Sequence, residues 1–444
     1  MPLDRSISLL QITIYGVGVI VGAGIYALIG PAAGIAGNAL WLAFVFAGII
    51  AALTALSYAE LGSRFPKEGA EALYVEKAFN RRMAAFFIGF ISMVAMIVSS
   101  AAIAWGFATY FKLFSAINPA FIALAVIAIC SLINYMGIQK SIRINNIFTI
   151  ITVVGLLIII VSGARFIGAV DLSVGFNGET GLALFPAIFS AAALIFFAFL
   201  GFDEITNLSE EIKSPKKNVP KAILVSLAIA TVLYVLVAIV AVSVVPPAEL
   251  SLAAQPDSAL LAGPLALVAN ISVAPGFGFW LTIIALCATF NTTLAMVIAS
   301  SRFLYGLSEQ RLLPKFLSRI HPITKAPHYA IFAAMAVAMC FVAVGSLQML
   351  GNLTTMGTFL MFFVVHAALL KLRLSEKRPE KIVPFNIGRV PVFALFGAGF
   401  CAYMFSTQFW FPATILGVTL PLIVFGLMVF ATSIPIYWYF ARKL

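Results

Sequence analysis

The chain has 444 residues, 63% of them hydrophobic and 10% charged, with a mean hydropathy of +1.10 and a formal net charge of +11. Soluble domains hold roughly 45 to 50% apolar and about 25% charged residues, so a soluble globular protein is excluded and an integral membrane protein is indicated. The basic residues are scattered over short segments between apolar runs and form no patch, which removes nucleic acid as a partner and leaves the lipid bilayer.

Apolar runs of about 20 residues predict an all-α integral membrane fold of about twelve transmembrane helices. They lie at 9–33, 39–62, 83–113, 119–136, 143–164, 183–211, 220–245, 273–308, 328–347, 351–371, 390–408 and 413–440. With the N-terminus in the cytoplasm, the inside segments and helix ends collect all of the 27 Lys and Arg residues except Lys112 and Arg165. This asymmetry predicts a multi-pass protein of the cell membrane with both termini cytoplasmic. The first residues show no signal-peptide cleavage pattern, so residue 1 is expected to belong to the mature protein. Cys130, Cys287, Cys340 and Cys401 stand singly in apolar runs, a pattern of buried free thiols and not of disulfides or a metal site.

The first helix carries Gly16, Gly18, Gly22, Gly24 and Gly30, each costing roughly 1 kcal/mol against alanine in a helix interior. Two readings account for them: close helix packing through small residues, or unwinding near Gly22, Ala23 and Gly24 that offers bare backbone to a ligand. The second helix ends at Glu60, Arg64 and Pro66, and Glu60 is expected to pair with a nearby base at the membrane boundary. In the third, Ser99 and Ser100 read as helix-to-helix hydrogen-bond formers, and Trp105 and Tyr110 as residues near the outer interface.

The sixth helix places Gly201 before Asp203 and Glu204 near the middle of an apolar span. A charge at bilayer centre costs some 2.5 to 3.5 kcal/mol on insertion scales, so these acids face protein, water or a pathway. If they cap a half-helix that starts after Gly201, the helix must be broken there. Helices 1 and 6 then occupy corresponding places in two five-helix repeats of opposite orientation, the sequence pointer to a midplane site in a secondary transporter. Free amides at a half-helix N-terminus attract a carboxylate, and freed carbonyls attract a cation or ammonium group, a combination suited to an amino acid.

Three stretches resemble the amino acid permeases of the APC (amino acid, polyamine and organocation) superfamily. They are Gly22 to Tyr26, Tyr58 to Gly62, and Phe196 to Asp203 with Glu210, Glu211 and Pro215, and the similarity continues through Arg302 to Pro314. The resemblance implies a substrate carboxylate on amides of Gly22, Ala23 and Gly24, and an ammonium on carbonyls of Ile20, Phe197, Ala198 and Leu200. It also implies an inverted 5+5 repeat with helices 1 and 6 broken, plus two additional helices: residues 1–166 (helices 1–5), 167–375 (helices 6–10) and 376–444 (helices 11–12).

Where proton-coupled relatives carry a lysine in helix 5, the resemblance places Thr152. Where sodium-coupled ones hold the ion, it implies ligands from Gly18, Val21, Ala288, Asn291 and Thr292; helix-to-helix hydrogen bonds explain Asn291 and Thr292 equally well. Coupling to sodium, coupling to a proton and uncoupled exchange all stay open; no other metal and no cofactor is expected. His321 and His328 fall in a loop, and His366 is the histidine within a span that could titrate near neutral pH.

No nucleotide loop, metal cluster or hydrolytic triad appears, so the chain is read as no enzyme. Alternating access is the expected mechanism, with Trp105, Phe199 and Phe202 as candidate lid or pocket-wall residues. The substrate is expected to be a neutral, apolar amino acid, or a cationic one or polyamine if Asp203 or Glu204 turns inward. A channel and a sensor that binds an amino acid without moving it are the readings from other classes; polar residues gathered near the midplane of helices 1, 6 and 8 favour an occluded site over a channel. The protein is expected to be a monomer or weak oligomer.

Overall fold

The glycines split the first apolar run in two. In the computed structural model, which describes residues 3, 5–254, 263–376, 386–387, 390–410, 412–415 and 418–441, helix α1 (Leu9–Ile20) stops at Val21 and α2 (Ala23–Ala36) starts two residues later. Ser8 opens α1 with a capping box, its hydroxyl taking the Gln11 amide while the Gln11 side chain accepts from the Ser8 N–H. The chain continues through α3 (Leu40–Arg64), the short α4 (Ala70–Phe79), α5 (Arg82–Phe111), α6 (Pro119–Tyr135) and α7 (Ile138–Gly163).

The sixth run is also interrupted: α8 (Phe185–Ile195) passes into a 3₁₀ turn at Phe196–Phe199, and a second 3₁₀ segment covers Asp203–Leu208. Between them Leu200 is extended and Gly201 has φ +111°, a conformation that residues with a side chain rarely adopt. Then follow α9 (Pro215–Val244), the short α10 (Pro247–Ala253) and α11 (Pro264–Ser272), α12 (Phe277–Glu309), α13 (His328–Val344), α14 (Leu347–Ser375), α15 (Val392–Thr407) and α16 (Leu422–Ile436).

Eight stretches among the described residues are long and apolar enough to cross a membrane, the first of them, Leu9–Arg64, holding α1 to α3; α6, α13 and α15 are shorter apolar helices. The molecule is a helical, multi-pass membrane protein. Three details differ from the sequence expectation. Cys340 is exposed and not buried. The second half of run 183–211 is 3₁₀ and not α-helical. Strands β3 (Pro412–Ile415) and β4 (Val418–Pro421) pair antiparallel, after the two-residue strands β1 (Asn386–Ile387) and β2 (Val390–Pro391), so α16 begins only after Pro421. Of the basic residues behind the orientation argument, Lys377, Arg378, Lys381, Arg389, Arg442 and Lys443 lie outside the described residues.

Helix α3 packs along α9, α5 against α12 and α14, and α1 against α7, α9 and α12. Buried ionic groups fasten this bundle at the face carrying Arg64. Arg373 of α14 holds Glu60 of α3 with two parallel hydrogen bonds, 2.6 Å from Nε and 2.5 Å from Nη2, and both side chains are fully buried. Arg64 adds 2.9 Å to Glu60 and 3.1 Å to Glu376. Arg302 of α12 reaches Glu211 at 3.2 Å and Asn134 of α6 at 2.5 Å. His366 sits between Ser57 Oγ at 2.8 Å and Thr54 Oγ1 at 3.2 Å. Removing one partner of a buried pair strands the other charge, at a cost of about 3–5 kcal/mol. Glu60→Gln and Arg373→Leu are therefore each expected to lower thermal stability in detergent sharply, and the double variant Glu60→Leu/Arg373→Leu by less than their sum. Equal losses from Arg373→Leu and from Lys371→Leu, two residues earlier on the same helix, would contradict this account.

Candidate functional site

The break in the first run is closed tightly on one side and open on the other. The Val21 N–H bonds the Val17 carbonyl at 2.7 Å, and the Gly22 N–H turns back to the Ile20 carbonyl at 2.8 Å. Helix α2 then starts with no side chain capping it, so the amides of Ala23 and Gly24 belong to an uncapped helix N-terminus, where backbone N–H groups and the helix dipole favour an anion. Of the three amides expected to hold a carboxylate, Gly22 is thus engaged within the turn and Ala23 and Gly24 are not.

The two breaks touch. A Cβ on Gly24 would lie 2.6 Å from Ala198 Cα, so only glycine lets α2 approach the backbone of the second break this closely; a Cβ on Gly201 would lie 2.4 Å from the Val19 side chain. Tyr234 of α9 joins them: its hydroxyl lies 2.6 Å from the Ile20 carbonyl and 3.0 Å from the Ala198 carbonyl. Ile20 and Ala198, both expected as ammonium ligands, are therefore brought to one point. Phe197 is not with them; its carbonyl accepts the Leu200 N–H, and its side chain lines a separate cavity of about 920 Å³ with Leu28, Phe359, Phe400 and Gln408. Leu200 and Gly201 instead border a cavity of about 20 Å³ whose wall includes Ser99, Asp203, Glu204, Thr354, Thr358, Met96, Met296 and Met361.

Among the residues expected around an ion, Asn291 Nδ2 stands 3.3 Å from the Gly18 carbonyl and 3.0 Å from Thr149 Oγ1. Thr292 packs against Gly22 and donates to the Ala288 carbonyl at 3.1 Å, while Val21 ends α1. Thr152 is buried but bonds its own helix at Phe148; Thr149, one turn earlier, is the hydroxyl that meets Gly18 and Asn291. Sequence reasoning missed Thr149 and Tyr234. A lone tyrosine in the apolar run of α9 was a signal for the second; nothing in the sequence separated Thr149 from Thr152.

The aromatic candidates divide. Phe199 is fully buried edge-on to Tyr234, with ring centroids 5.2 Å apart, and Phe202 stacks on Phe362 at 5.6 Å with Tyr58 edge-on beside it. Trp105 lies elsewhere, its Nε1 donating to the Val342 carbonyl at 3.2 Å to tie α5 to α13. Asp203 caps the break by accepting the Gly201 N–H at 3.2 Å and also faces the small cavity. Among the described residues no group of three His, Cys, Asp or Glu side chains is placed to hold a metal ion.

The family model described as amino acid permease matches residues 7–432. Over 99% of its length the chain is 30% identical to the methylthioribose transporter of Bacillus subtilis, covering 94% of that protein. It is 28% identical to the branched-chain amino acid permease BcaP of the same organism, with 92% of this chain and 89% of the permease aligned. Cationic amino acid transporter 4 of Homo sapiens is 29% identical over 85% of this chain and 61% of its own length. These relatives are transporters and not enzymes. With an uncapped helix start set against a second broken helix, and a family match over nearly its whole length, the chain belongs to the amino acid permeases of the APC superfamily.

Proposed function

We propose that the chain is a secondary active transporter of neutral, apolar amino acids that works by alternating access. The observation that carries this reading is the contact between the two breaks, where the uncapped Ala23 and Gly24 amides lie next to the Ile20 and Ala198 carbonyls gathered by Tyr234. The substrate carboxylate takes the α2 amides and its ammonium takes the two carbonyls, displacing the tyrosine hydroxyl. In this reading α1 and α2 form one crossing and α8 with its 3₁₀ segments another, twelve crossings in all. Residues 1–166 and 167–375 are the inverted repeats, residues 376–444 add the last two helices, and the face carrying Arg64 is cytoplasmic together with both termini. The bundle built on the two breaks rocks against the helices around it. The protein works in the cell membrane as a monomer or weak oligomer.

The names of the relatives span a thiosugar, branched-chain and cationic amino acids. The wall of the small cavity, with Asp203 and Glu204 on it, supports a cationic amino acid or polyamine as the second reading. Counterflow of labelled leucine but not lysine in proteoliposomes is expected; the reverse selects the second reading, and binding without counterflow of either indicates a sensor.

Gly24→Leu is expected to abolish binding and uptake, because its side chain would occupy the space of Ala198. Gly106→Leu, placed where a Cβ meets nothing within 4 Å, is the tolerated control. Unimpaired uptake by Gly24→Leu would remove the carboxylate assignment.

At the ion position we propose that the Asn291 amide takes the part of the cation, since its Nδ2 already supplies a donor to the Gly18 carbonyl. Replacing sodium by choline is then expected to leave affinity and uptake unchanged; a loss of either on replacement would restore sodium at Gly18, Val21, Ala288, Asn291 and Thr292.

A further inference from the structure

Helices α7 and α9 each turn one stripe of side chains to the bilayer. On α7 it includes Ile147, Ile150 and Val154, and on α9 Val225, Ile229 and Val232, all exposed. Steps of three and four residues keep each set on one side of its helix, and in a membrane protein that side lies against lipid tails. The same steps taken towards the helix start lead from Ile147 to Arg143 and Lys140, and from Val225 to Lys221 and Lys217. All four bases are exposed.

Helix length sets their depth. With 30 residues α9 is about 45 Å long, against a hydrocarbon core of about 30 Å. Its stretch 222–244 holds no charged residue, so the end that overhangs the core is the one that carries the lysines. Likewise α7 has 26 residues and no charge after Arg143. The bases therefore stand at headgroup depth, in line with the stripes that meet the tails.

Among the described residues no neighbour neutralises them. Neither helix contains an acid, and none of the four bases belongs to an ion pair. Lys67, by contrast, pairs with Glu210 at 4.0 Å, and Arg64 with Glu60 and Glu376. The arrangement is not general to lipid-facing helices either: the exposed stripe of α6, through Ile129 and Leu132, ends at Met136 on the side where α7 begins.

The two helices flank the start of α1. The Asn146 amide of α7 donates to the Gln11 carbonyl at 3.2 Å, and Gly16 lies against Ser226 of α9. Just before α9, the Ile7 N–H donates to the Glu211 carbonyl at 3.0 Å and the Lys213 N–H to the Ile7 carbonyl at 2.9 Å. On α1 itself Leu10 is 70% exposed, so the start of the first broken crossing also faces lipid.

We propose that Lys140 and Arg143 on one flank of α1, and Lys217 and Lys221 on the other, form a docking surface for the phosphate headgroups of anionic phospholipid. Bases without an acid on either helix favour a lipid of net negative charge over a zwitterionic one, whose ammonium group would meet the same bases. The lipid tails continue along the exposed stripes of α7 and α9, a fit that a free phosphate ion lacks. Each base at such a surface strengthens binding about fivefold, and salt weakens the attraction. The surface is independent of which substrate the protein moves.

The test uses the full chain, stripped of lipid in an uncharged detergent, and reads the thermal unfolding midpoint while lipid is added. Phosphatidylglycerol is expected to raise the midpoint, and phosphatidylcholine with the same tails to raise it far less. The half-saturating phosphatidylglycerol concentration should rise about 25-fold in Lys217→Gln/Lys221→Gln and in Lys140→Gln/Arg143→Gln. Lys217→Arg/Lys221→Arg, which keeps both charges, should bind like the unaltered chain, as should Lys112→Gln at the opposite end of the bundle. The arginine pair also shows whether a loss in the glutamine pair comes from charge or from misfolding. Equal stabilisation by phosphatidylcholine overturns the proposal, because charge is then not read. Equal stabilisation by glycerol 3-phosphate overturns it as well, since a free anion then suffices. So does unchanged half-saturation when all four bases are replaced by glutamine, which would place the lipid elsewhere.

Discussion

The structure depends on backbone meeting backbone at the centre of the bundle. Gly24 rests on the Ala198 backbone, Gly201 takes the Val19 side chain against it, and the Tyr234 hydroxyl spans the carbonyls that both breaks leave without a helical partner. In a membrane interior an unpaired carbonyl costs several kcal/mol, so irregular backbone survives only where protein or water satisfies it. Here the two breaks satisfy each other through a third helix. A group that outbids one hydroxyl gains access to two carbonyls at once, and α2 presents its amides beside them.

Around that centre the polar residues divide by whether their charge is matched. Glu60 and Arg373 join α3 to α14, and Arg302 joins Glu211 to α6 and α12, each with hydrogen bonds on both sides. These pairs bind helices together and leave no charge over. Glu71, Asp203 and Glu204 stand among neutral partners at the edge of a cavity. The contrast separates acids that join helices through an arginine from acids held by neutral hydrogen-bond partners.

The glycines of the first run show how far local reading carries. Their positions announce that a helix gives up stability for something, and the helix does break at Val21 and Gly22. Yet Gly16 faces Ile205 and Ser226, Gly18 faces Thr149 and Asn291, Gly22 faces Thr292 and Gly30 faces Leu250 and Pro264. Four glycines that look alike along the chain serve packing against different helices, and Gly24 alone of the stretch admits the opposing backbone of the second break. Trp105 illustrates the converse, since an aromatic residue in the third run reads equally as pocket wall or packing, and its indole N–H is spent on Val342.

The sequence by itself determined the membrane class, the helical architecture, the place of both breaks and the family, because hydrophobic run length, glycine cost and the cost of buried charge are properties of short segments. Only the tertiary structure decided that Tyr234 bridges the breaks, that Thr149 and not Thr152 meets Asn291, and that the arginine held by Glu60 with two hydrogen bonds comes from α14. Each of these depends on which side chain a distant helix brings within about 3 Å, the distance at which a hydrogen bond forms, and chain order carries no record of that distance.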